Sequence, residues 1–132
     1  MIEKIAHAAL VVSDIDRSID FYTRILGFKV VRQLKFPDRE LVVLALGDGR
    51  SAKLELLRYD ATDLENKVLE DRTILGLRHL AFHVLDLKAT YDKLIEVGVT
   101  MQVDQPFLKP GGPAIAFGFD PDRVLLEFTE ID

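Results

Sequence analysis

Four residues in this sequence have the types and spacing to hold a metal ion: His7, Glu55, His79 and Glu127. In each half a glutamate follows a histidine by 48 positions, and each second-half residue lies 72 positions after its first-half counterpart. Taken singly, His7 and His79 read as core histidines in apolar strands, and the glutamates as outward-facing members of alternating strands. Taken together, two imidazole nitrogens and two carboxylate oxygens suit a divalent ion such as Zn, Ni, Co, Mn or Fe. Four protein ligands leave up to two positions of a six-coordinate ion for water or substrate, which is what separates a working metal from a structural one.

The elements that must carry these side chains are legible from hydrophobic period. Residues 5–12 form a short apolar run, a largely buried strand with His7 on the face of Ile5, Ala9 and Val11. Ser13 is the expected helix cap, with Asp16 three residues on, and Ile15, Ile19, Tyr22 and Leu26 mark the apolar face of a helix over 14–26 that ends at Gly27. Strands follow at about 28–36 and 40–46, with turns at Pro37-Asp38 and Gly47-Asp48-Gly49, and a fourth strand, 52–58, carries Glu55. The order then repeats. Strand 78–84 carries His79, Asp86 caps a helix with Leu87, Tyr91, Leu94 and Ile95 on one face, and Gly98 ends it. Strands at about 99–104, 114–119 and 123–129 complete the second set, the last carrying Glu127.

The chain thus reads β-α-β-β-β twice: a first repeat over 1–60, a connector over 61–76 with a short helix on Leu64, Val68 and Leu69, and a second repeat over 77–132. The ungapped 72-residue offset relates Val12 to Val84, Asp14 to Asp86, and Leu54-Glu55-Leu56 to Leu126-Glu127-Phe128. A fold class of α+β, one domain built of two tandem modules, follows.

Composition narrows the function further. The 132 residues carry 22 acidic and 17 basic side chains, a net charge of −5 with no basic run, which argues against a nucleic-acid partner. With no cysteine there is no disulfide frame, no thiolate nucleophile and no Cys-ligated metal. No apolar stretch approaches the roughly 20 residues of a membrane span. The start, Met1-Ile2-Glu3-Lys4, runs straight into patterned sequence, and a cytoplasmic location is the expectation.

Over essentially its whole length the sequence resembles the vicinal oxygen chelate superfamily that contains glyoxalase I. The resemblance is carried by His7 to Ile15, by Ser18-Ile19-Asp20-Phe21-Tyr22 with Leu26-Gly27-Phe28, by Gly76 to Phe82, and by Asp120-Pro121-Asp122 leading to Leu125-Leu126-Glu127-Phe128. It implies paired βαβββ modules forming a curved mixed sheet around a metal cleft, with His7, Glu55, His79 and Glu127 as the four ligands. It also implies Glu127 as the primary base, Glu55 as ligand and partner on the opposite face of the substrate, and a homodimer. The sequence departs from glyoxalase I in two places. Val11 stands where a basic residue commonly anchors a glutathione carboxylate, and the Arg58-Tyr59-Asp60 context replaces an expected asparagine. Lys109, in a Lys-Pro-Gly-Gly loop similar to the family's substrate-gripping loop, is a candidate substrate contact, as are His83 and Tyr59. Gly111-Gly112 lacks the helix start that a phosphate loop requires.

The function expected on this basis is a divalent-metal-dependent, glyoxalase I-like lyase or isomerase, in which a carboxylate moves a proton through a metal-stabilised enediolate or enolate. Its partner is a small carbonyl, thiol-adduct or acyl-thioester molecule. The alternatives are an epimerase resembling methylmalonyl-CoA epimerase, a ring-cleaving dioxygenase, which leaves Glu55 unexplained, and a non-catalytic drug- or metabolite-binding module.

Overall fold

The computed structural model describes residues 1–60, 75–104, 106–108 and 114–130. The chain divides between Glu65 and Asn66 into two compact units, each holding one four-stranded mixed sheet. The connector from 61 to 74 and the loop 109–113, with Lys109, lie outside the described residues.

The first unit runs β1 (His7–Val11), α1 (Ile15–Asp20), β2 (Lys29–Lys35), β3 (Arg39–Ala45) and β4 (Lys53–Tyr59). Its sheet order is β1-β4-β3-β2, with β1 parallel to β4 and the other neighbours antiparallel. Asp14, not Ser13, caps α1: its carboxylate accepts the Arg17 backbone N–H at 3.0 Å, while the Ser13 hydroxyl accepts the Arg17 guanidinium at 2.9 Å. A carboxylate is the better acceptor beside the positive end of a helix.

The helix expected over 14–26 is not uniform. From Phe21 to Ile25 it widens into a π turn, in which the Leu26 N–H donates to the Phe21 carbonyl five residues back. The buried face is accordingly Ile15, Ser18, Phe21 and Tyr22, with Ile19 and Leu26 only half-buried. Two consecutive rings turn inward, and Tyr22 packs edge-on against both Phe21 and Phe28. Gly27, at φ 83°, ends the element as expected. Leu54 and Leu56 from β4 and Val42 and Leu44 from β3 supply further fully or nearly fully buried side chains of this unit. Because side chains alternate along a strand, Glu55 points to the opposite face from Leu54 and Leu56.

The second unit runs β5 (Leu80–His83), α2 (Leu87–Glu96), β6 (Phe107–Leu108), β7 (Ala114–Phe119) and β8 (Leu125–Thr129), in sheet order β5-β8-β7-β6. Asp86 caps α2 by accepting the Ala89 N–H at 2.8 Å, and Glu130 from beyond β8 accepts the Leu87 N–H at 2.8 Å. Leu87, Tyr91 and Leu94 are buried, whereas Ile95 is exposed. The strand expected over 99–104 contracts to an isolated bridge between Met101 and Gly118, and the sheet's edge is instead β6. One cause is plain. The Tyr91 hydroxyl donates to the Val103 carbonyl at 2.6 Å, so that acceptor is engaged by a helix side chain.

Between β7 and β8 the chain turns on Asp120, which is buried and accepts the backbone N–H groups of Asp122 and Val124 at 2.9 and 2.8 Å. Arg123 occupies this turn at φ 64°, and its guanidinium lies 4.6 Å from the Phe119 ring centroid. Among the described residues no helix is long and apolar enough to cross a membrane.

Candidate metal centre

Sheet register fixes the candidate ligands. In the first unit Glu55 of β4 sits opposite Ala9 of the parallel strand β1 and opposite Val43 of the antiparallel strand β3. In the second unit Glu127 of β8 sits opposite Ala81 of β5 and Phe117 of β7 in the same way. His7 and His79 each stand two residues before the alanine facing the glutamate, on the glutamate's face of the sheet. The 72-residue offset is therefore a repeat of register in three dimensions.

Each unit closes one imidazole–carboxylate pair. His7 Nε2 lies 3.6 Å from Glu55 Oε2, and His79 Nε2 lies 3.2 Å from Glu127 Oε2. Two donors bound about 2.1 Å from one ion are separated by about 3.0 Å at an octahedral angle and about 3.4 Å at a tetrahedral one. The second pair falls within that interval and the first lies 0.2 Å beyond it, so both fit as two ligands of a shared cation. As a direct hydrogen bond, 3.6 Å is too long. Within each unit the group stops at two: among the described residues no three His, Asp or Glu side chains come together.

The two pairs are not equivalent. The carboxylates are the more sheltered partners, 22% exposed at Glu55 and 15% at Glu127, while the imidazoles are 49% and 37% exposed. The His79 ring meets the Phe117 ring edge to face at 5.7 Å and 79°, which restricts its rotation. At the matching place in the first unit stands Val43, which offers no ring. Sequence reasoning missed Phe117, although its place opposite Glu127 follows once the hairpin register is known.

Two of the candidate substrate contacts, Tyr59 and His83, fall among the described residues. Tyr59 lies four residues beyond Glu55 on the same face of β4, opposite Arg39, and is half-buried. His83 ends β5 opposite Thr129, exposed, on the face of His79 and Ala81. Arg58 belongs to the other face, where Glu40 at 3.6 Å and Asp60 at 3.1 Å hold it, so its role is structural.

Comparison with known proteins agrees with this architecture. The family described as Glyoxalase/Bleomycin resistance protein/Dioxygenase superfamily matches residues 4–128. A lactoylglutathione lyase of Haemophilus influenzae is 35% identical over 130 residues, covering 96% of this chain and 92% of the relative. A probable lactoylglutathione lyase of Synechocystis is 31% identical, covering 94% and 92%. Among solved structures, the glyoxalase I of Leishmania major superposes with a TM-score of 0.75 at 30% identity, covering 96% of this chain and 86% of that one. The glyoxalase I of Zea mays superposes with a TM-score of 0.81 at 25% identity; this chain, 98% covered, spans 45% of it.

Proposed function

The chain belongs to the glyoxalase/bleomycin resistance protein/dioxygenase superfamily, and from that membership we propose that it is a divalent-metal-dependent, glyoxalase I-like lyase. The observation that carries the reading is the duplicated imidazole–carboxylate pair, repeated in register with donor separations that suit a shared cation. Each unit supplies two of the proposed ligands, His7 with Glu55 in the first and His79 with Glu127 in the second. The copies associate as a homodimer in this proposal, which sedimentation of the purified protein tests.

The relatives' name points to a hemithioacetal of a thiol and a 2-oxoaldehyde as substrate, and to a 2-hydroxyacyl thioester as product. The conversion is an isomerisation: one proton leaves the sulfur-bearing carbon and one is delivered to the adjacent carbon. His7, Glu55, His79 and Glu127 would hold the divalent cation, which would supply Lewis-acid polarisation that makes the C–H beside the carbonyl more acidic. Glu127 takes that proton and returns one to the neighbouring carbon, the to-and-fro for which a single carboxylate base suffices. Glu55 is the corresponding ligand carboxylate of the first pair. His7 and His79 hold position, the latter braced by Phe117.

The test is turnover of the glutathione–methylglyoxal hemithioacetal by protein stripped with chelator and reloaded with Zn, Ni, Co, Mn or Fe(II). Reloaded protein forms the thioester, stripped protein does not, and Glu127→Gln loses at least a hundredfold in kcat. No turnover with any of these ions, or turnover of methylmalonyl-CoA in its place, overturns the assignment.

A further inference from the structure

The face of the first sheet that presents the His7–Glu55 pair also presents three cations. Lys53 is the register partner of His7 across β1 and β4, two residues before Glu55 and on its face. Arg32 lies opposite Val43, which itself lies opposite Glu55, so Arg32 shares the row of the candidate ligand. Lys29 lies opposite Ala45, two residues beyond Val43 on β3.

A backbone irregularity makes this arrangement. Lys29 and Arg32 are three apart, and in a regular strand they would point to opposite faces. The ladder slips between Val30 and Arg32, so Val31 is the extra residue of a bulge and both cations turn to the same side. Neighbouring strands are about 4.8 Å apart, so Arg32 and Lys53 both originate within about 10 Å of Glu55.

The chain carries net −5, and several of its other cations are answered: Arg24 by Asp20, Lys35 by Glu40, Arg58 by Glu40 and Asp60, Lys88 by Asp92. The side chains of Lys29, Arg32 and Lys53 have no ion pair or hydrogen bond among the described residues, and all three residues are exposed. The second unit has no such feature at the corresponding strand position, where Leu125 takes the place of Lys53. Three unanswered cations around one carboxylate in an acidic protein raise the local potential toward anions. Val11, which stands where a basic anchor was expected, offers no charge.

We propose that Lys29, Arg32 and Lys53 form an anion-binding platform beside the His7–Glu55 pair that takes the carboxylates of a multiply anionic thiol adduct, and so decide substrate specificity. The inference rests on the function proposed above for its substrate class and on sheet geometry for its residues. The uncharged end of such a substrate reaches the ligand pair while its carboxylates remain over β2 and the start of β4.

The probe is S-hexylglutathione, with its diethyl ester, which lacks both carboxylate charges and keeps the amine, as the comparison, titrated calorimetrically into the protein. Lys29→Gln, Arg32→Gln and Lys53→Gln each weaken S-hexylglutathione about fivefold, and the triple variant about fiftyfold or more. Binding of the diester stays within twofold throughout, Lys88→Gln on α2 changes neither ligand, and added salt weakens the parent more than the triple variant. A triple variant within twofold of the parent, or one that loses the diester equally, overturns the platform. Its failure is separable from that of the proposed function. Hemithioacetal turnover with unchanged KM in the triple variant removes the platform and leaves the lyase. Absence of turnover, with S-hexylglutathione binding still dependent on the three cations, does the reverse.

Discussion

Asp120 offers a perturbation whose size can be worked from the structure. It is 4% exposed, and one carboxylate oxygen accepts two backbone N–H groups, Asp122 at 2.9 Å and Val124 at 2.8 Å. These bonds hold the turn that places Arg123 at φ 64° and starts β8, the strand that carries Glu127 two residues later. Asp120→Ala removes both hydrogen bonds at once. A hydrogen bond to a charged group contributes roughly 1.5–3 kcal/mol, and a sheltered donor left unpaired costs about 1–3 kcal/mol. The two N–H groups sit on half-buried residues that water partly reaches, so the total loss is about 2–4 kcal/mol. With a urea m-value of roughly 2 kcal/mol/M for a chain of this size, the midpoint falls by about 1–2 M. Asp120→Asn keeps an oxygen acceptor and forfeits only the charge, and its loss is about half as large. The assay is urea unfolding by circular dichroism at one protein concentration and unchanged slope, since association shifts apparent stability. A midpoint shift below about 0.3 M for alanine, or equal shifts for alanine and asparagine, refutes the reasoning.

Three further outcomes follow from single observations. Ser18 is fully buried on α1 with no hydrogen-bond partner for its hydroxyl among the described residues, so Ser18→Ala stabilises the protein by about 1 kcal/mol, read as a higher urea midpoint. A methyl group on Gly118 meets the Met101 sulfur at 2.7 Å and the Thr100 carbonyl at 3.3 Å; Gly118→Ala costs about 1–2 kcal/mol, and adding Met101→Ala recovers part of it in a double-mutant cycle. The Arg24 guanidinium holds the Asp20 carboxyl below its ordinary range. That lowering means the pair's contribution is present at neutral pH and is lost as pH falls through the carboxylate range. Asp20→Asn therefore lowers Tm slightly at pH 7 and leaves it unchanged near pH 2, by scanning calorimetry.

The relation of sequence to structure is clearest at the ligand strands. A histidine in an alternating apolar strand and a glutamate in a second one define a face each, because alternation is local. The shared spacing in both halves then announces that the faces recur, and the register of Glu55 with Ala9 and of Glu127 with Ala81 is the physical form of that repeat. What alternation does not carry is a break in itself. The bulge at Val31 brings Lys29 and Arg32 to one face, yet Lys-Val-Val-Arg reads as an unbroken strand because no glycine or proline marks the slip. The π turn at Phe21 has the same character, since Phe-Tyr in sequence gives no sign that both rings turn inward. The strand expected over 99–104 failed for another reason. Its apolar alternation was real, but the acceptor on Val103 is engaged by Tyr91, a contact between distant residues that no local pattern encodes.

The central claim is the proposed ligand set, His7, Glu55, His79 and Glu127, acting on a divalent ion. Equilibrium dialysis against Ni(II) or Zn(II), with the bound metal counted by mass spectrometry, tests it on the parent protein and on His7→Ala, Glu55→Ala, His79→Ala and Glu127→Ala. One ion per chain, with affinity falling at least tenfold in every one of the four variants, is the predicted result. Two ions per chain, or a loss confined to the variants of a single pair, contradicts it.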